Sequence, residues 1–192
     1  RGADRGEMRR VVITGAGTVN PLGADVAATW AAMAAGRVAI GPLDIRDRDR
    51  LSVQIGAQVQ GFEPEAHFDK AQLGMLDRFA QFALVAARQA VAQAGVDFAG
   101  DLGLRAGVVM GTAGGGLTTS DDSYRTVYEE GKARVHPFTV PRLMNNAAAS
   151  HISMEFGLRG PTFSVATACA SSNHAMGLAF QMVRAGAAPV ML

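Results

Sequence analysis

The sequence predicts an α/β fold in which short buried strands alternate with helices. Hydrophobic residues make up 48% of the 192 residues and charged residues only 18%, so the chain has ample apolar side chains for a core. Short apolar runs recur along the chain, several of them next to glycine, as buried strands do. Between them lie Ala-rich segments with helical spacing, whose small side chains let helices pack closely on a sheet.

The first half of the chain predicts two strands and two helices. A buried strand covers residues 10–14 and closes at a Gly-Ala-Gly turn, and a half-exposed strand covers residues 53–59. Asp25 and Asp77 are predicted N-caps of helices that stop at Gly36 and Gly95. The apolar stripes of these helices are Val26, Trp30 and Met33 in the first, and Phe79, Phe82, Ala83, Ala86, Ala90 and Val91 in the second.

The second half repeats this alternation. Strands are predicted over residues 106–110, 162–166 and 189–192, and a helix over residues 170–185. A further helix opens at Thr139-Pro141 and ends at Gly157. Its predicted inner face consists of Met144, Ala148, Ile152 and Phe156.

Composition excludes several function classes. The 18 Lys and Arg residues nearly balance the 17 Asp and Glu residues, which disfavours nucleic-acid binding and a polybasic membrane tether. A single cysteine rules out an internal disulfide and a cysteine-cluster metal site. No signal segment or membrane span is recognisable, so we expect a soluble cytoplasmic protein. Residues 1–8 are expected to be an N-terminal extension, and residues 9–192 to be one domain or part of a larger one.

The lone cysteine lies where a predicted strand gives way to a predicted helix. Cys169 occupies the turn, flanked by Ala168 and Ala170, and a nucleophile on such a turn is exposed at the end of a sheet. The helix N-terminus favours a thiolate, and the Cys169 N–H can face the oxyanion that forms when a thioester is attacked. The alternative is an inert, small core cysteine among alanines.

Several motifs in order carry a family resemblance. The segments GLRGP at 157–161 and VATACAS at 165–171 closely resemble the active-site region of the β-ketoacyl-acyl-carrier-protein synthases, particularly the type II enzymes. The resemblance extends from residue 9 to residue 192. Its other parts are RRVVITGAGTVNPLG at 9–23, VVMGT at 108–112 with Gly115-Gly116, His136-Pro137-Phe138, and Val140-Pro141.

This resemblance implies a thiolase-like fold with αβαβα layers, of which the chain covers the N-terminal half. It also implies a decarboxylating Claisen condensation in fatty acid or polyketide biosynthesis, with no cofactor and no metal. Cys169 would accept an acyl group from a carrier-protein thioester, and the carbanion from malonyl-carrier protein would attack it. In the family, two histidines, a lysine and a Gly-Phe loop come from the second half, so we expect the chain alone to be an incomplete enzyme, inactive in condensation.

The four histidines are the candidates for replacing the missing pair. Decarboxylation leaves an enolate oxygen that paired histidine donors stabilise. His174 is five residues beyond Cys169 and lies well around its helix, while His151 lies inside another predicted helix. His67 and His136 lie in loop-like surroundings. We interpret all four as structural or surface histidines.

Two departures from the type II pattern concern the acyl pocket. The resemblance places Gly114 where a bulky aliphatic residue is usual, and Thr139 where a second aromatic is common. Loss of both bulky groups predicts a wider or longer acyl cavity, suited to a longer, branched or polyene chain. The alternative is that neighbouring side chains refill the space.

The resemblance also implies two protein partners. Lys70, Lys132 and Arg134 stand where the family meets an acidic acyl carrier protein, whereas Gly74 and Met75 are uncharged here, which allows a different carrier. A solvated basic face is the alternative. The strand at 162–166 is expected to pair with its copy in a homodimer, since an apolar edge strand needs covering.

The sequence disfavours three other protein classes. A nicotinamide-dependent oxidoreductase is disfavoured because the third glycine of its fingerprint is missing after Gly15-Ala16-Gly17, and Asn20-Pro21 interrupts the helix start. A non-catalytic chain-length subunit typically lacks the cysteine that this chain retains at position 169. Thiolases also use a cysteine, but in different surroundings.

Overall fold

The structure is a computed structural model that describes residues 9–192, so the extension expected at residues 1–8 lies outside the described residues. Eight helices and four strands are assigned over the described range. The helices are α1 Val26–Ala34, α2 Lys70–Met75, α3 Arg78–Ala94, α4 Asp101–Arg105, α5 Leu117–Tyr128, α6 Thr139–Leu143, α7 Ala147–Glu155 and α8 Ser171–Arg184. The strands are β1 Ile40–Pro42, β2 Ile55–Ala57, β3 Val108–Gly111 and β4 Thr162–Val165, with short 3-10 turns at Arg48–Arg50 and Pro64–Ala66.

The central sheet is parallel. Strand β3 pairs with β4 in the register Val108↔Thr162 to Gly111↔Val165. On the other side of β3, residues 190–192 run parallel to it, with a bridge between Gly107 and Met191 and a 2.9 Å bond from Val109 N–H to the Leu192 carbonyl. The three strands predicted in the second half therefore lie side by side. Helices connect them in sequence, as the predicted α/β class requires.

The core forms where helices cover this sheet. Both α7 and α8 contact β3 and β4, and α3 packs against α7. Alanines make this close approach possible, because Ala147, Ala148 and Ala149 of α7 are all buried. The buried cluster comprises Phe68, Leu76, Ala80, Leu84, Val85, Ala87, Phe98, Ala106, Val108, Ala148, Ala149, Ile152 and Leu158.

The strand predicted at residues 10–14 is wrong. No ladder pairs this segment within residues 9–192, and Ile13 is 91% exposed. Instead, the next residues bind the side of α3, where Gln93 Oε1 accepts from Ala16 N–H at 2.7 Å. Gly17 allows this approach, since a Cβ there would lie 1.9 Å from the Ala86 carbonyl oxygen. An apolar run is a strand only where a partner supplies its hydrogen bonds.

The strand predicted at residues 53–59 is shorter than expected. Only Ile55–Ala57 is extended and paired, antiparallel to β1, which the sequence did not indicate. Ile55 and Val53 face solvent, so the predicted apolar face is not buried. Within the described range this hairpin pairs with no other strand, and nothing covers that face.

The single helix predicted over residues 139–156 is two helices. The backbone leaves helical geometry at Met144, whose ψ is 141°, and α7 starts again at Ala147. Asn145 lies in the break, where its carbonyl accepts a 3.1 Å bond from Ser164 Oγ of β4. Two consecutive asparagines disfavour a continuous helix and supply polar groups for such contacts. The predicted inner face of α7 is confirmed at Ala148 and Ile152.

The helices capped by Asp25 and Asp77 are confirmed, but the residues that they bury are not those of the predicted apolar stripes. The six predicted core positions of α3 are only half-buried, whereas Ala80, Leu84 and Ala87 are buried. Contacts on two sides explain the shift, because α7 covers one side of α3 and residues 15–17 cover another. In α1, Trp30 is 71% exposed. No helix within residues 9–192 combines the length and apolarity needed to cross a bilayer.

A buried carboxylate joins α3 to α5. Asp77 is only 2% exposed, and it accepts hydrogen bonds from Phe79 N–H at 3.2 Å, Thr119 N–H at 2.7 Å and Thr119 Oγ1 at 2.6 Å. The sequence predicts its capping role within α3. The bonds to Thr119 carry no local signal, because 42 residues separate the two positions.

Replacement of this carboxylate should destabilise the protein more than loss of an ordinary cap. We expect Asp77→Ala to lower the free energy of unfolding by about 2–4 kcal/mol, because it leaves buried donors of Thr119 unpaired. Asp25→Ala is the matched control, since this exposed cap accepts one bond from Ala28 N–H, and its loss should cost about 1 kcal/mol. Urea unfolding of the complete encoded protein measures both, and equal losses would contradict the role of Thr119.

Candidate active site at the turn between β4 and α8

Cys169 lies in a tight turn between β4 and α8, and its side chain is exposed. The preceding residue, Ala168, has a φ of +48°, a left-handed conformation that L-residues rarely adopt. Such a conformation costs about 1–3 kcal/mol and persists only where surrounding contacts enforce it. The predicted exposure of the thiol is therefore confirmed, and the turn that presents it is strained.

The contacts that enforce this conformation come from the start of α8. Ser171 Oγ accepts a 2.9 Å bond from Thr167 N–H and donates a 2.7 Å bond to the Ala168 carbonyl. That carbonyl also accepts from Ser171 N–H at 3.1 Å, and the Thr167 carbonyl accepts from Ala170 N–H at 3.0 Å. The turn is thus closed by four hydrogen bonds, two of which use one buried hydroxyl.

The end of β3 packs directly against this turn. At Gly111 a Cβ would lie 2.3 Å from the Ser171 carbonyl oxygen and 2.4 Å from its carbon, so only glycine fits. The backbone of the central strand and the first turn of α8 are therefore in contact. This fixes the helix start relative to the sheet.

The N-terminus of α8 adds a favourable electrostatic environment. The helix has 14 residues, and its N-cap residue, Ala170, makes no side-chain capping bond. The positive end of a helix with uncapped N–H groups stabilises nearby negative charge. Cys169 directly precedes this N-cap, so the arrangement is suited to a thiolate or an oxyanion.

The two predicted acyl-pocket residues occupy different settings. Gly114 lies in the loop after β3, and Cys169 follows β4. Because β3 and β4 are parallel neighbours, both residues emerge at the same edge of the sheet. A Cβ at Gly114 would lie 3.0 Å from Leu117 Cδ1, so a flexible, exposed side chain already borders the vacant position.

Thr139 is buried at the start of α6. Its Oγ1 donates a 2.7 Å bond to the His136 carbonyl, and the residue lines a cleft of about 80 Å³ together with His136 and Arg142. A larger cleft of about 280 Å³, formed by residues 19–24, Arg37, residues 59–62 and His67, contains neither Cys169 nor Gly114. Neither cleft reaches the thiol.

The three predicted carrier-binding residues are exposed on separate elements. Lys70 is the first residue of α2, while Lys132 and Arg134 follow α5. Lys132 Nζ lies 2.6 Å from Glu130 Oε2, and this hydrogen bond lowers the pKa of the Glu130 carboxyl below its usual value. The charge of Lys132 is thus partly compensated within the chain.

The four histidines do not form a paired donor site. Three are exposed: His67 stacks on Phe62, His136 Nδ1 accepts from Phe138 N–H at 3.2 Å, and His174 lies within α8. Half-buried His151 lies in α7, where desolvation lowers its pKa and a backbone hydrogen bond at Met75 opposes that effect. Within the described part of the chain, no three His, Cys, Asp or Glu side chains gather to hold a metal ion.

Sequence reasoning missed two residues that shape the turn, Ser171 and Gly111. Serine at a helix start and glycine after a strand are common, so neither residue type indicates the contact between them. The only available signal was the run of small residues around Cys169, which predicts close packing without specifying its partners.

A family model and several known proteins match this chain. The family model for the beta-ketoacyl synthase N-terminal domain matches residues 8–192. Nodulation protein E of Rhizobium sp. (strain N33) is 42% identical over 96% of this chain and 46% of its own length. The 3-oxoacyl-[acyl-carrier-protein] synthase 2 of Staphylococcus aureus (strain N315) is 36% identical over 97% of this chain and 45% of its own.

The solved structures agree with this relationship. The ishigamide ketosynthase/chain length factor superposes with a TM-score of 0.84 at 28% identity, over 93% of this chain and 45% of that chain. The predicted thiolase-like α/β fold is thereby confirmed. The chain spans about half the length of the curated relatives it matches. By sequence motifs, family model and fold, this chain belongs to the beta-ketoacyl synthase family.

Proposed function

We propose that the complete encoded protein is a decarboxylating condensing enzyme similar to 3-oxoacyl-[acyl-carrier-protein] synthase 2, and that residues 9–192 form the half that carries its nucleophile. The observation that carries this proposal is the exposed Cys169 thiol on a strained turn at the N-terminus of α8. A cysteine in that setting is suited to covalent catalysis.

The first stage is transfer of an acyl group to Cys169. The thiolate sulfur attacks the carbonyl carbon of an acyl-carrier thioester, a C–S bond forms, and the carbonyl oxygen takes the negative charge. Collapse of this oxyanion breaks the bond to the carrier sulfur, which leaves as a thiolate and takes a proton from water. The Cys169 N–H and the positive end of α8 are suited to stabilise the oxyanion.

The second stage requires groups beyond this turn. Malonyl-carrier protein loses carbon dioxide, and the enolate carbon attacks the Cys169 thioester to form a C–C bond and release the sulfur as thiolate. The enolate oxygen needs hydrogen-bond donors before that attack. His174 is the histidine of α8, and His67, His136 and His151 lie on other parts of the chain. We therefore assign those donors to the remainder of the complete protein.

The acyl-transfer stage gives a direct test. Mixed with an acyl-carrier thioester, the complete encoded protein should gain one acyl group, seen by intact mass spectrometry and mapped to Cys169 by peptide analysis. Cys169→Ser should abolish the adduct, because the hydroxyl is a far weaker nucleophile at neutral pH. An adduct at another residue, or none in the wild-type protein, would contradict the proposed function.

Gly114 is proposed to widen the acyl cavity beside the nucleophile. The loop after β3 and the turn after β4 share one edge of the sheet, which supports this role. We expect Gly114→Leu to lower kcat/KM for long acyl chains relative to short ones about tenfold, since each excluded methylene weakens transition-state binding.

The matched control for Gly114→Leu is Ala113→Leu. Ala113 is exposed on the same loop, so its substitution should leave the chain-length preference unchanged. Kinetics with a series of acyl-carrier thioesters measure both variants. Unchanged preference in Gly114→Leu would indicate that Leu117 and its neighbours already fill the space.

Lys70, Lys132 and Arg134 are proposed to bind an acidic acyl carrier protein. Their exposure supports this role. Arg134 is the better residue to change, because Glu130 partly compensates the positive charge of Lys132. We expect Arg134→Glu to raise the KM for the carrier about tenfold at low salt, and the effect to shrink as salt screens the charges.

Arg105→Glu is the control for that charge reversal. Arg105 is the last residue of α4 and lies just before the amino end of β3. Arg134 follows α5, the helix that comes after the carboxyl end of β3. The control should therefore leave the KM for the carrier unchanged. Equal effects of both variants would indicate a response to net charge rather than a docking surface.

A homodimer is proposed to form through β4. This strand pairs with β3 along one edge, and within residues 9–192 no strand pairs with its other edge. An unpaired, half-buried edge is suited to continuing a sheet into a second copy. The similarity to a ketosynthase/chain length factor makes a heterodimer the competing arrangement. Light scattering of the purified complete protein distinguishes them, and a monomer would contradict the homodimer.

A further inference from the structure

The Ser171 hydroxyl is placed to control the orientation of the Cys169 amide. Ser171 is the first residue of α8 and is only 3% exposed. Its Oγ accepts from Thr167 N–H and donates to the Ala168 carbonyl, so both of its partners are backbone groups of the turn. A hydroxyl can fill both roles at once because it is a donor and an acceptor.

The hydrogen bond from Ser171 Oγ to the Ala168 carbonyl also orients the Cys169 N–H, because this carbonyl and this N–H are parts of one rigid peptide group. The Ala168 carbonyl and the Cys169 N–H belong to the same planar trans peptide, so they point in opposite directions. The carbonyl is held towards α8 by Ser171 Oγ at 2.7 Å and Ser171 N–H at 3.1 Å. The Cys169 N–H is consequently turned away from the helix. It donates no hydrogen bond within residues 9–192, which leaves it available to a bound oxyanion.

The hydrogen bond from Thr167 N–H to Ser171 Oγ limits movement of the backbone at Ala168. A left-handed φ at Ala168 is unfavourable by itself, and rotation about the N–Cα bond of Ala168 would relieve it but would also move the Ala168 carbonyl. The Thr167 N–H bond to Ser171 Oγ holds the residue before the strained position. Gly111 blocks movement of Ser171 itself, because their backbones are in contact. The hydroxyl therefore joins two backbone groups of the turn, the Thr167 N–H and the Ala168 carbonyl, to the start of α8.

We propose that Ser171 is a positioning residue for acyl transfer: it holds the Cys169 N–H in the direction from which it stabilises the oxyanion of the attacked thioester. This inference rests on the proposed function of Cys169 as the acylated nucleophile. Ser171 contacts no reacting atom in this scheme. It affects the acylation rate only by orienting the peptide group between Ala168 and Cys169.

Two reactions of the same sulfur separate this role from a purely structural one. Acyl transfer from an acyl-carrier thioester passes through an oxyanion, whereas alkylation by iodoacetamide displaces iodide directly and forms none. In the complete encoded protein, we expect Ser171→Ala to lower the single-turnover acylation rate about tenfold, as partial loss of an oxyanion donor does. Alkylation of Cys169 should stay close to the wild-type rate.

Two further variants complete the experiment. Ser171→Thr keeps the hydroxyl and should restore the ratio of acylation to alkylation. Ser172→Ala removes an exposed serine from the same helical turn and should leave both rates unchanged. If Ser171→Ala lowers both rates together, or leaves their ratio unchanged, the positioning role is overturned. Absence of acylation in the wild-type protein would instead overturn the proposed function, before any variant is compared.

Discussion

The contact between the end of β3 and the start of α8 is the constraint on which the candidate site depends. Gly111 brings the strand backbone against the Ser171 backbone, where any side chain would clash. With α8 held this close to the sheet, the chain has only residues 166–170 in which to turn from β4 into the helix. The left-handed Ala168 lies in this short turn, where the hydrogen bonds of Ser171 hold it.

Parallel pairing then determines which residues share the site. The carboxyl ends of β3 and β4 lie side by side, so the glycine-containing loop at 112–116 and the turn at Cys169 emerge together. The loop is itself anchored, since α5 begins directly after it and is tied to α3 by Asp77 and Thr119. Cys169 and the neighbouring loop are thus positioned by the core rather than by contacts with each other.

Local signals in the sequence were sufficient for much of this arrangement. The caps at Asp25 and Asp77, the strand before Cys169 and the helix after it depend on residues close in sequence, and all are present. The strand at residues 10–14 failed because pairing depends on a distant partner. The hydrogen bonds of Ser171 could not be predicted for a related reason, since they depend on a backbone conformation that no residue type specifies.

Exposed apolar stripes explain the remaining differences. Trp30 in α1 and Ile55 in β2 were predicted from patterns that mark a face to be covered, and over residues 9–192 nothing covers either face. An exposed apolar face of this kind indicates that another surface covers it, but the pattern does not indicate which surface. The burial prediction for α7 therefore succeeded at Ala148 and Ile152, which the described chain covers, and those for α1 and β2 failed at Trp30 and Ile55, which it leaves exposed.

The two stages of the proposed reaction place different demands on the protein. Acylation needs a reachable sulfur, a favourable helix N-terminus and an oriented N–H, and a turn fixed by Ser171 and Gly111 can supply all three. Condensation needs donors for an enolate, which form beside the sulfur only if other segments bring them there. The histidines of the described chain lie on separate elements, and our proposal draws those donors from the remainder of the complete protein. In this proposal the geometry of Cys169 and the decarboxylation are therefore physically separable, and the turn after β4 determines the first.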